Sequence, residues 1–315
     1  MRHIILILIL SFLLPAAANA AGDIVVAPDG SGDYTSIGEA LRKVRGDSEE
    51  PVRIFVKNGV YNEKLLVNYT VNNLTIEGES RDSTIISNGD YASLRDMGTS
   101  GSYTLRIDGN NITLRNLTVE NTAGRVGQAV ALHTTGDKIH VENCNITGNQ
   151  DTLYATGRNS RALFDNCYIS GTVDFIFGAA TALFRNCHIH AAGNGYLTAA
   201  STAVDNPYGY IFHKCKVTAA PDVTGVYLGR TWRPYASTFF IECELPAAIK
   251  GEGWHNWGKT ANEYTARYGE YRCTGDGAGE ERRVGWRKTL SAQEAQALTD
   301  PAVIFSKISA WPEIQ

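Results

Sequence analysis

The stretch KIHVENCNITG (residues 138–148) decides the fold, because it returns twice in nearly the same form. RALFDNCYISG (161–171) and TALFRNCHIHA (181–191) repeat its order: a short alternating apolar run, Asn-Cys at the centre, then a second short run. Alternation with a period of two is typical of β-strands. Short strands that recur every twenty-odd residues, with Asn and Gly at the corners, indicate the stacked coils of a solenoid.

The cysteines follow the same repeat. Five of them lie at intervals of 23, 20, 28 and 28 residues, each inside a short alternating apolar run: Cys144, Cys167, Cys187, Cys215 and Cys243. They are predicted to face inward, whereas Cys273 lies in a Gly-rich loop outside the pattern. Stacked coils would also bring neighbouring cysteines within disulfide range. Free thiols are favoured for Cys144 and Cys167, and both states stay open for Cys187 and Cys215.

The repeat predicts an all-β fold of the parallel β-helix kind. Connections this short leave no room for crossover helices, and a β-sandwich, the alternative, would not give a matched position in successive repeats. The ends are expected to be covered. Residues 26–44 predict a short capping helix with Thr35 or Ser36 as N-cap, and residues 291–301 predict a helix that stops near Pro301.

The first twenty residues are predicted to be a signal peptide rather than part of the fold. Arg2 and His3 precede an apolar run over residues 4–14, and Ala18-Asn19-Ala20 supplies a cleavage site near Ala20. The run is too short to span a bilayer. Residues 21–315 then form a single exported domain without a membrane anchor, either periplasmic or extracellular. The net charge of −4 argues against nucleic acid as a partner.

Two carboxylates share a position in consecutive repeats. Asp151 follows Cys144 by seven residues, and Asp174 follows Cys167 by seven. Positions one period apart become neighbours in a solenoid, so the two acids are predicted to be adjacent. Gln128, 23 residues before Asp151, extends the same row unless the first coil slips by one residue.

This arrangement predicts acid–base and nucleophilic chemistry. Like charge and partial desolvation raise the pKa of one acid and leave a proton donor beside a carboxylate. Gln128 and Gln150 can donate N–H bonds to an oxyanion without adding charge. Arg230 can hold one acid ionised through two hydrogen bonds, and Trp232 offers a flat surface for a sugar ring.

At this point the sequence resembles a known family, the pectin methylesterases. The motifs that carry the resemblance, in order, are GQAVAL (127–132), GNQDTLY (148–154), GTVDFIFGAA (171–180) and YLGRTWRPYA (227–236). VAPDGSGDYTSIGEAL (26–41) and YNEKLLV (61–67) resemble the family as well. The resemblance runs from about residue 24 to residue 310. It implies a right-handed parallel β-helix, a pectin-lyase-like solenoid, that hydrolyses the methyl esters of galacturonate units in pectin.

The resemblance also implies a role for each motif residue. Asp174 resembles the nucleophile, Asp151 the general acid and then base, and Arg230 the partner that orients Asp174. Gln128 and Gln150 resemble the pair that stabilises the oxyanion. The sugar groove is expected to contain Trp232, Phe175 and Tyr154. No metal and no organic cofactor is implied, the partner is pectin, and a monomer is expected.

The chain also departs from the family pattern. Thr231 stands where much of the family has Pro, and residues 196–212 lack the family's Gln-Gly-Arg, which leaves the contacts on that flank open. The inhibitory N-terminal domain of the plant enzymes is not expected, so the chain resembles the bacterial type. A pectin-active lyase or galacturonan hydrolase on the same scaffold, and a non-catalytic polysaccharide-binding solenoid, are the alternative functions.

Overall fold

A computed structural model describes residues 23–157 and 159–305. Its strands form three sheets in which every pair of neighbouring strands is parallel. The chain visits the sheets in turn and winds into a right-handed parallel β-helix, which confirms the predicted fold class. The predicted signal peptide lies outside the described residues.

The three sheets run the length of the molecule. Sheet 1 has eleven strands, at Ile24–Val26, Val52–Val56, Leu74–Gly78, Ile112–Arg115, Ile139–Glu142, Arg161–Asp165, Thr181–Arg185, Tyr210–His213, Ser237–Ile241, Arg267–Tyr271 and Lys288–Thr289. Sheet 2 has eight, at Leu65–Val67, Leu105–Ile107, Leu132–Thr134, Leu153–Ala155, Ile176–Gly178, Gly195–Ala200, Val226–Arg230 and Trp254–His255. Sheet 3 has seven, at Gly59–Asn62, Thr84–Asn88, Thr118–Asn121, Asn145–Thr147, Tyr168–Gly171, His188–Ala191 and Lys216–Ala219.

Helices are few and short. The α-helices are α1 (Ile37–Leu41), α2 (Ala292–Thr299) and α3 (Pro301–Ile304). Single 3₁₀ turns lie at Leu94–Asp96, Thr99–Gly101, Thr260–Tyr264 and Glu280–Arg282. None of the helices among the described residues has the length and hydropathy needed to cross a membrane.

The spacing of the cysteines is the spacing of the coils. In sheet 3, the residue after each cysteine pairs with its counterpart one coil on: Asn145 with Tyr168, Tyr168 with His188, and His188 with Lys216. These pairs are 23, 20 and 28 residues apart, as the sequence intervals predict. The residue before the cysteine has a positive φ at these corners, for example 52° at Asn166. Asn tolerates this left-handed conformation better than most residues, which explains its place in the repeat.

All six cysteines are free thiols. Each Sγ from Cys167 onward donates to a backbone carbonyl of the preceding coil, for example Cys215 to Phe184 at 3.3 Å. The favoured prediction for Cys144 and Cys167 is therefore confirmed, and Cys187 and Cys215 are also free. The separate status given to Cys273 is wrong, because its Sγ continues the row by donating to the carbonyl of Phe240 at 3.4 Å. The Gly-rich sequence around Cys273 differs from that around the other cysteines, although Cys273 holds the same position in its coil.

Both predicted ends are helical. Ser36 is the N-cap of α1, and its side chain accepts from the backbone N–H of Glu39. At the other end α2 ends at Thr299, and Pro301 then opens α3, a position that proline tolerates because the first N–H of a helix has no partner. The two C-terminal helices cover apolar side chains on the outer face of sheet 1: Leu163, Leu183, Ile211, Phe239 and Ile241.

Candidate active site

The two predicted acids lie at one corner of consecutive coils. Asp151 and Asp174 each stand two residues before a paired position of sheet 2, where Leu153 pairs with Ile176. The backbone N–H of Asp151 also donates to the carbonyl of Val173, 3.1 Å away. The acids therefore occupy adjacent rungs, about 4.8 Å apart along the solenoid. The predicted register is confirmed.

The backbone at both acids is in the left-handed region, with φ of 66° at Asp151 and 51° at Asp174. This conformation costs a non-glycine residue about 1–2 kcal/mol, and such strain is concentrated at functional sites. Both side chains reach a pocket on the outside of sheet 2, although only 7% of Asp151 and 4% of Asp174 is exposed.

The pocket collects residues from five successive coils and two loops. It is lined by Thr99, Ser100, Gln128, Gln150, Asp151, Tyr154, Asp174, Phe177, Ala199, Arg230, Trp232 and Trp257. Seven of the eight residues predicted for the site are among them. These seven residues run from Gln128 to Trp232, so strand stacking brings together side chains that are up to 104 residues apart along the chain.

The two glutamines pair with each other rather than with the acids. Gln128 forms a parallel bridge with Gln150, and the N–H of Ala129 donates to the Gln150 carbonyl at 3.1 Å. The interval is thus 22 residues, so the predicted row from Gln128 to Asp151 is shifted by one place. The slip puts two neutral amide residues on adjacent rungs, and Gln150 directly precedes Asp151.

Arg230 binds one of the acids. Its Nε donates to Oδ1 of Asp174 at 2.9 Å, and its Nη2 donates to Oδ2 at 2.5 Å. Two parallel charge-assisted bonds fix the carboxylate plane and favour the ionised form. The predicted contact between Arg230 and Asp174 is present in this structure.

The protonation of the two acids is set by different surroundings. Burial, followed by the charge of Asp174, raises the pKa of Asp151 to about 8. Burial also raises the pKa of Asp174 above its ordinary value of 3.8, but the bonds and the charge of Arg230 oppose that rise. Asp151 is therefore the acid with the strongly raised pKa, and Asp174 is the acid whose carboxylate Arg230 binds.

Aromatic rings form one wall of the pocket. Tyr154 stacks on Phe177 with ring centroids 4.2 Å apart, and Trp232 is tilted against both rings at 6.5 and 5.8 Å. On the side away from Phe177, His133 stacks on Tyr154 at 4.4 Å and is buried. Flat apolar faces of this kind suit the C–H faces of a sugar ring.

Phe175 does not belong to this wall, and its prediction as a groove residue is wrong. The side chain is fully buried and is part of the main hydrophobic core. The turn at Asp174 points the acid outward and the next residue into the solenoid, so the outward aromatic is Phe177, two residues further on. Phe175 and Phe177 both follow Asp174 closely in the sequence. The backbone geometry at this corner decides that Phe175 points into the core and Phe177 into the pocket.

Besides Phe177, four lining residues were not predicted: Thr99, Ser100, Ala199 and Trp257. Thr99 and Ser100 come from a long loop that is fixed to the site by the bond from the Ala92 N–H to the Gln128 carbonyl, 2.8 Å long. No local sequence pattern marks them. Trp257 had a weak signal, since a large aromatic between Asn and Gly in a loop has little core to fill.

Among residues 23–157 and 159–305, no group of three or more His, Cys, Asp or Glu side chains is arranged to hold a metal ion. The expectation of metal-free and cofactor-free chemistry stays a prediction.

Comparison with known proteins identifies the family. The pectinesterase family model matches residues 23–306. The chain belongs to the pectinesterase family.

The relatives agree along nearly the whole chain. Pectinesterase 31 of Arabidopsis thaliana is 36% identical over 281 residues, which cover 86% of this chain and 88% of that protein. The structure of pectin methylesterase from carrot superposes with a TM-score of 0.87 at 34% identity, over 92% of this chain and 95% of that one. A pectin methylesterase in complex with a hexasaccharide gives 0.79 at 29% identity, over 92% and 98%.

Family membership confirms the predicted activity. A pectinesterase is a carboxylic ester hydrolase, and this protein demethylesterifies pectin. The paired acids, the neutral amides and the aromatic wall can serve that reaction, since ester hydrolysis needs a nucleophile, a proton donor and donors for an oxyanion.

Proposed function

We propose that Asp174 is the nucleophile of this pectinesterase. Its carboxylate attacks the C6 carbonyl carbon of a methyl galacturonate unit and forms a tetrahedral oxyanion. The single observation that carries this assignment is the two-bond contact with Arg230, which keeps Asp174 ionised in a buried setting and orients its oxygens.

Asp151 is proposed as the acid and then the base. When the tetrahedral intermediate collapses, the C6–OCH₃ bond breaks and the departing oxygen takes the Asp151 proton, so methanol leaves. The products of this half are an acyl anhydride at Asp174 and an ionised Asp151. Asp151 then removes a proton from water, whose oxygen attacks the same carbonyl carbon and regenerates Asp174 with release of galacturonate.

Gln128 and Gln150 are proposed to stabilise the oxyanion. They lie on adjacent rungs at the pocket wall, and an amide donates N–H bonds without adding charge that would lower the pKa of Asp151. One such donor typically contributes a factor of about 100–1,000 to the rate. Trp232 and Tyr154, together with Phe177 in place of Phe175, are proposed to bind the sugar rings.

Methanol release from highly methylated pectin tests the assignment. We expect Asp174→Asn to abolish the activity and Asp151→Asn to reduce it severely, with circular dichroism showing that both variants remain folded. Asp165→Asn is the matched control. Asp165 is held by Arg185 through the same two-nitrogen contact, at 3.2 and 2.5 Å, but on sheet 1, so its substitution is expected to leave methanol release unchanged.

Substantial methanol release by folded Asp174→Asn protein would refute the proposed nucleophile. The same reactions test the alternative functions, because a lyase yields unsaturated products and a galacturonan hydrolase yields new reducing ends. Binding of pectin without methanol release from the wild-type protein would favour a non-catalytic solenoid instead.

Export, domain organisation and oligomeric state remain proposals. We propose that residues 1–20 are removed, that residues 21–315 form one secreted domain, and that the enzyme acts as a monomer. A single cluster of buried apolar residues that extends from Val26 to Tyr268 supports the one-domain proposal. N-terminal sequencing of the exported protein and its mass in solution test the other two.

A further inference from the structure

The guanidinium group of Arg230 contacts two aromatic rings as well as Asp174. Its Cζ lies 4.2 Å from the centroid of the Tyr196 ring and 3.5 Å from that of the Trp257 ring. A guanidinium at these distances is attracted by the ring face, and the attraction strengthens where water is excluded. The side chain of Arg230 is only 20% exposed, so water competes little for these faces.

The two rings restrict the orientation of the guanidinium plane, which the backbone of Arg230 does not fix. That backbone is already fixed, because Arg230 ends a strand of sheet 2 and its carbonyl accepts from the Tyr268 hydroxyl at 2.8 Å. Several rotatable bonds still separate the backbone from the guanidinium. Two bonds to Asp174 require the guanidinium plane to match the carboxylate plane, and ring faces restrict that plane.

Both rings are themselves held in place. The Tyr196 hydroxyl is hydrogen-bonded to Nδ1 of His255 at 3.1 Å, and the Tyr196 ring stacks on Tyr227 at 5.2 Å. Trp257 lies in a turn closed by the bond from the Gly258 N–H to the Asn256 side chain, 2.8 Å long. Tyr196 and Trp257 therefore each have a local contact or turn that is independent of Arg230.

We propose that Tyr196 and Trp257 are positioning residues that hold the Arg230 guanidinium in the plane needed to bind Asp174. The inference rests on the proposed role of Asp174 as nucleophile and adds two residues that act on it through Arg230. Tyr196 is the first residue of the segment 196–212, which lacks the family's Gln-Gly-Arg, so the proposal also assigns a role to a residue of that segment.

The test uses full-length enzyme with Trp257→Leu and Tyr196→Leu, and pectin methyl ester as substrate. We expect kcat to fall about tenfold in each variant, by loss of one ring contact in a desolvated site. We also expect the acid limb of the pH profile of kcat/KM to move to higher pH, because a less constrained Arg230 opposes protonation of Asp174 less strongly. Trp257→Phe and Tyr196→Phe, which keep a ring face, should restore most of kcat and the wild-type acid limb.

Trp232→Leu is the matched control, because Trp232 lines the same pocket but packs on Tyr154 and Phe177. It is expected to raise KM and to leave the acid limb in place. A wild-type acid limb in folded Trp257→Leu and Tyr196→Leu would overturn the inference, as would a change in KM alone. If Trp257→Leu does not fold, the acid limb of the Tyr196→Leu variant alone decides whether the inference stands.

The same set of variants separates this inference from the proposed function. Activity in Asp174→Asn would remove the nucleophile on which the inference rests. An inactive Asp174→Asn together with unshifted acid limbs in both leucine variants would remove only the positioning role of the rings.

Discussion

Arg230 donates two hydrogen bonds to Asp174 but acts on Asp151 only through its charge. The two acids hold the same position in consecutive coils, but the guanidinium is hydrogen-bonded to only one of them. It opposes the effect of burial at Asp174, whereas burial and the neighbouring carboxylate raise the pKa of Asp151 to about 8. This difference supports the proposal that Asp174 is the nucleophile and Asp151 the acid.

The first prediction concerns the pH dependence of activity. The proposed mechanism needs Asp174 ionised and Asp151 protonated, so kcat/KM should be bell-shaped. It should fall on the alkaline side around pH 8, where Asp151 loses its proton, and on the acid side above the ordinary aspartate pKa of 3.8. Initial rates of methanol release across the pH range measure both limbs. An alkaline limb that persists in a residually active Asp151→Asn variant would assign it to another group.

The second prediction is that Asp151→Asn stabilises the fold. The folded pKa of Asp151 lies well above its unfolded value, so the folded state binds a proton that the unfolded state has lost. Stability of the wild-type enzyme therefore falls as pH rises from about 4 to about 8, by about 1.4 kcal/mol per pH unit from this group.

A neutral Asn at position 151 removes this dependence. Urea unfolding of Asp151→Asn and wild type at several pH values should show an advantage for the variant that grows with pH across that window. Equal stability at pH 4 and pH 7.5 in both proteins would contradict the raised pKa. Asp165→Asn serves as the control for loss of a carboxylate elsewhere.

The third prediction concerns the glutamine pair. Gln150→Leu and Gln128→Leu should each lower kcat by about 100- to 1,000-fold, with a much smaller effect on KM, because the donors bind charge that develops only in the transition state. Steady-state kinetics on methylated pectin separate kcat from KM. A rise in KM without loss of kcat would show that the amides bind the ground-state substrate instead.

The fourth prediction separates two neighbouring phenylalanines. Phe175→Ala opens a cavity in the core and should cost about 3–5 kcal/mol of unfolding free energy, while the folded fraction keeps a wild-type KM. Phe177→Ala removes part of the pocket wall and should raise KM. Denaturant unfolding and kinetics on the same two variants measure both effects. A raised KM in folded Phe175→Ala protein would restore Phe175 to the groove.

The fifth prediction concerns the thiols. With all six cysteines free and five of them buried, a thiol reagent should react with at most Cys273 in the native enzyme and with six groups after unfolding without reductant. The absorbance of the chromophore that the reagent releases gives the number of reactive thiols. Two or four missing thiols in the unfolded, unreduced protein would show disulfides between coils.

Most of the fold follows from residue spacing. Six successive coils place a cysteine at the same corner, after Asn in the first three, and a parallel solenoid turns an interval along the chain into a neighbour relation in space. The intervals between cysteines therefore predicted the register of sheet 3, and with it the adjacency of Asp151 and Asp174. The one-residue slip at Gln128 lies where the interval shortens to 22, and spacing alone left that choice open.

Other features depend on local backbone geometry. The direction in which Phe175 and Phe177 point is set by the left-handed turn at Asp174, whose φ of 51° is not encoded by alternation. Thr99, Ser100 and Trp257 reach the pocket from loops whose lengths differ from coil to coil. No periodic signal can place such residues.

The amino-acid sequence by itself determined the solenoid and the coil register that makes Asp151 and Asp174 neighbours, because both follow from a repeat. Arg230 and its contact with Asp174 were predicted from the motif around Arg230, which lies outside that repeat. Only the tertiary structure decided which phenylalanine lines the pocket and which rings contact the guanidinium. Those choices depend on side-chain directions at corners and in irregular loops, where contact energies between distant residues outweigh local preference.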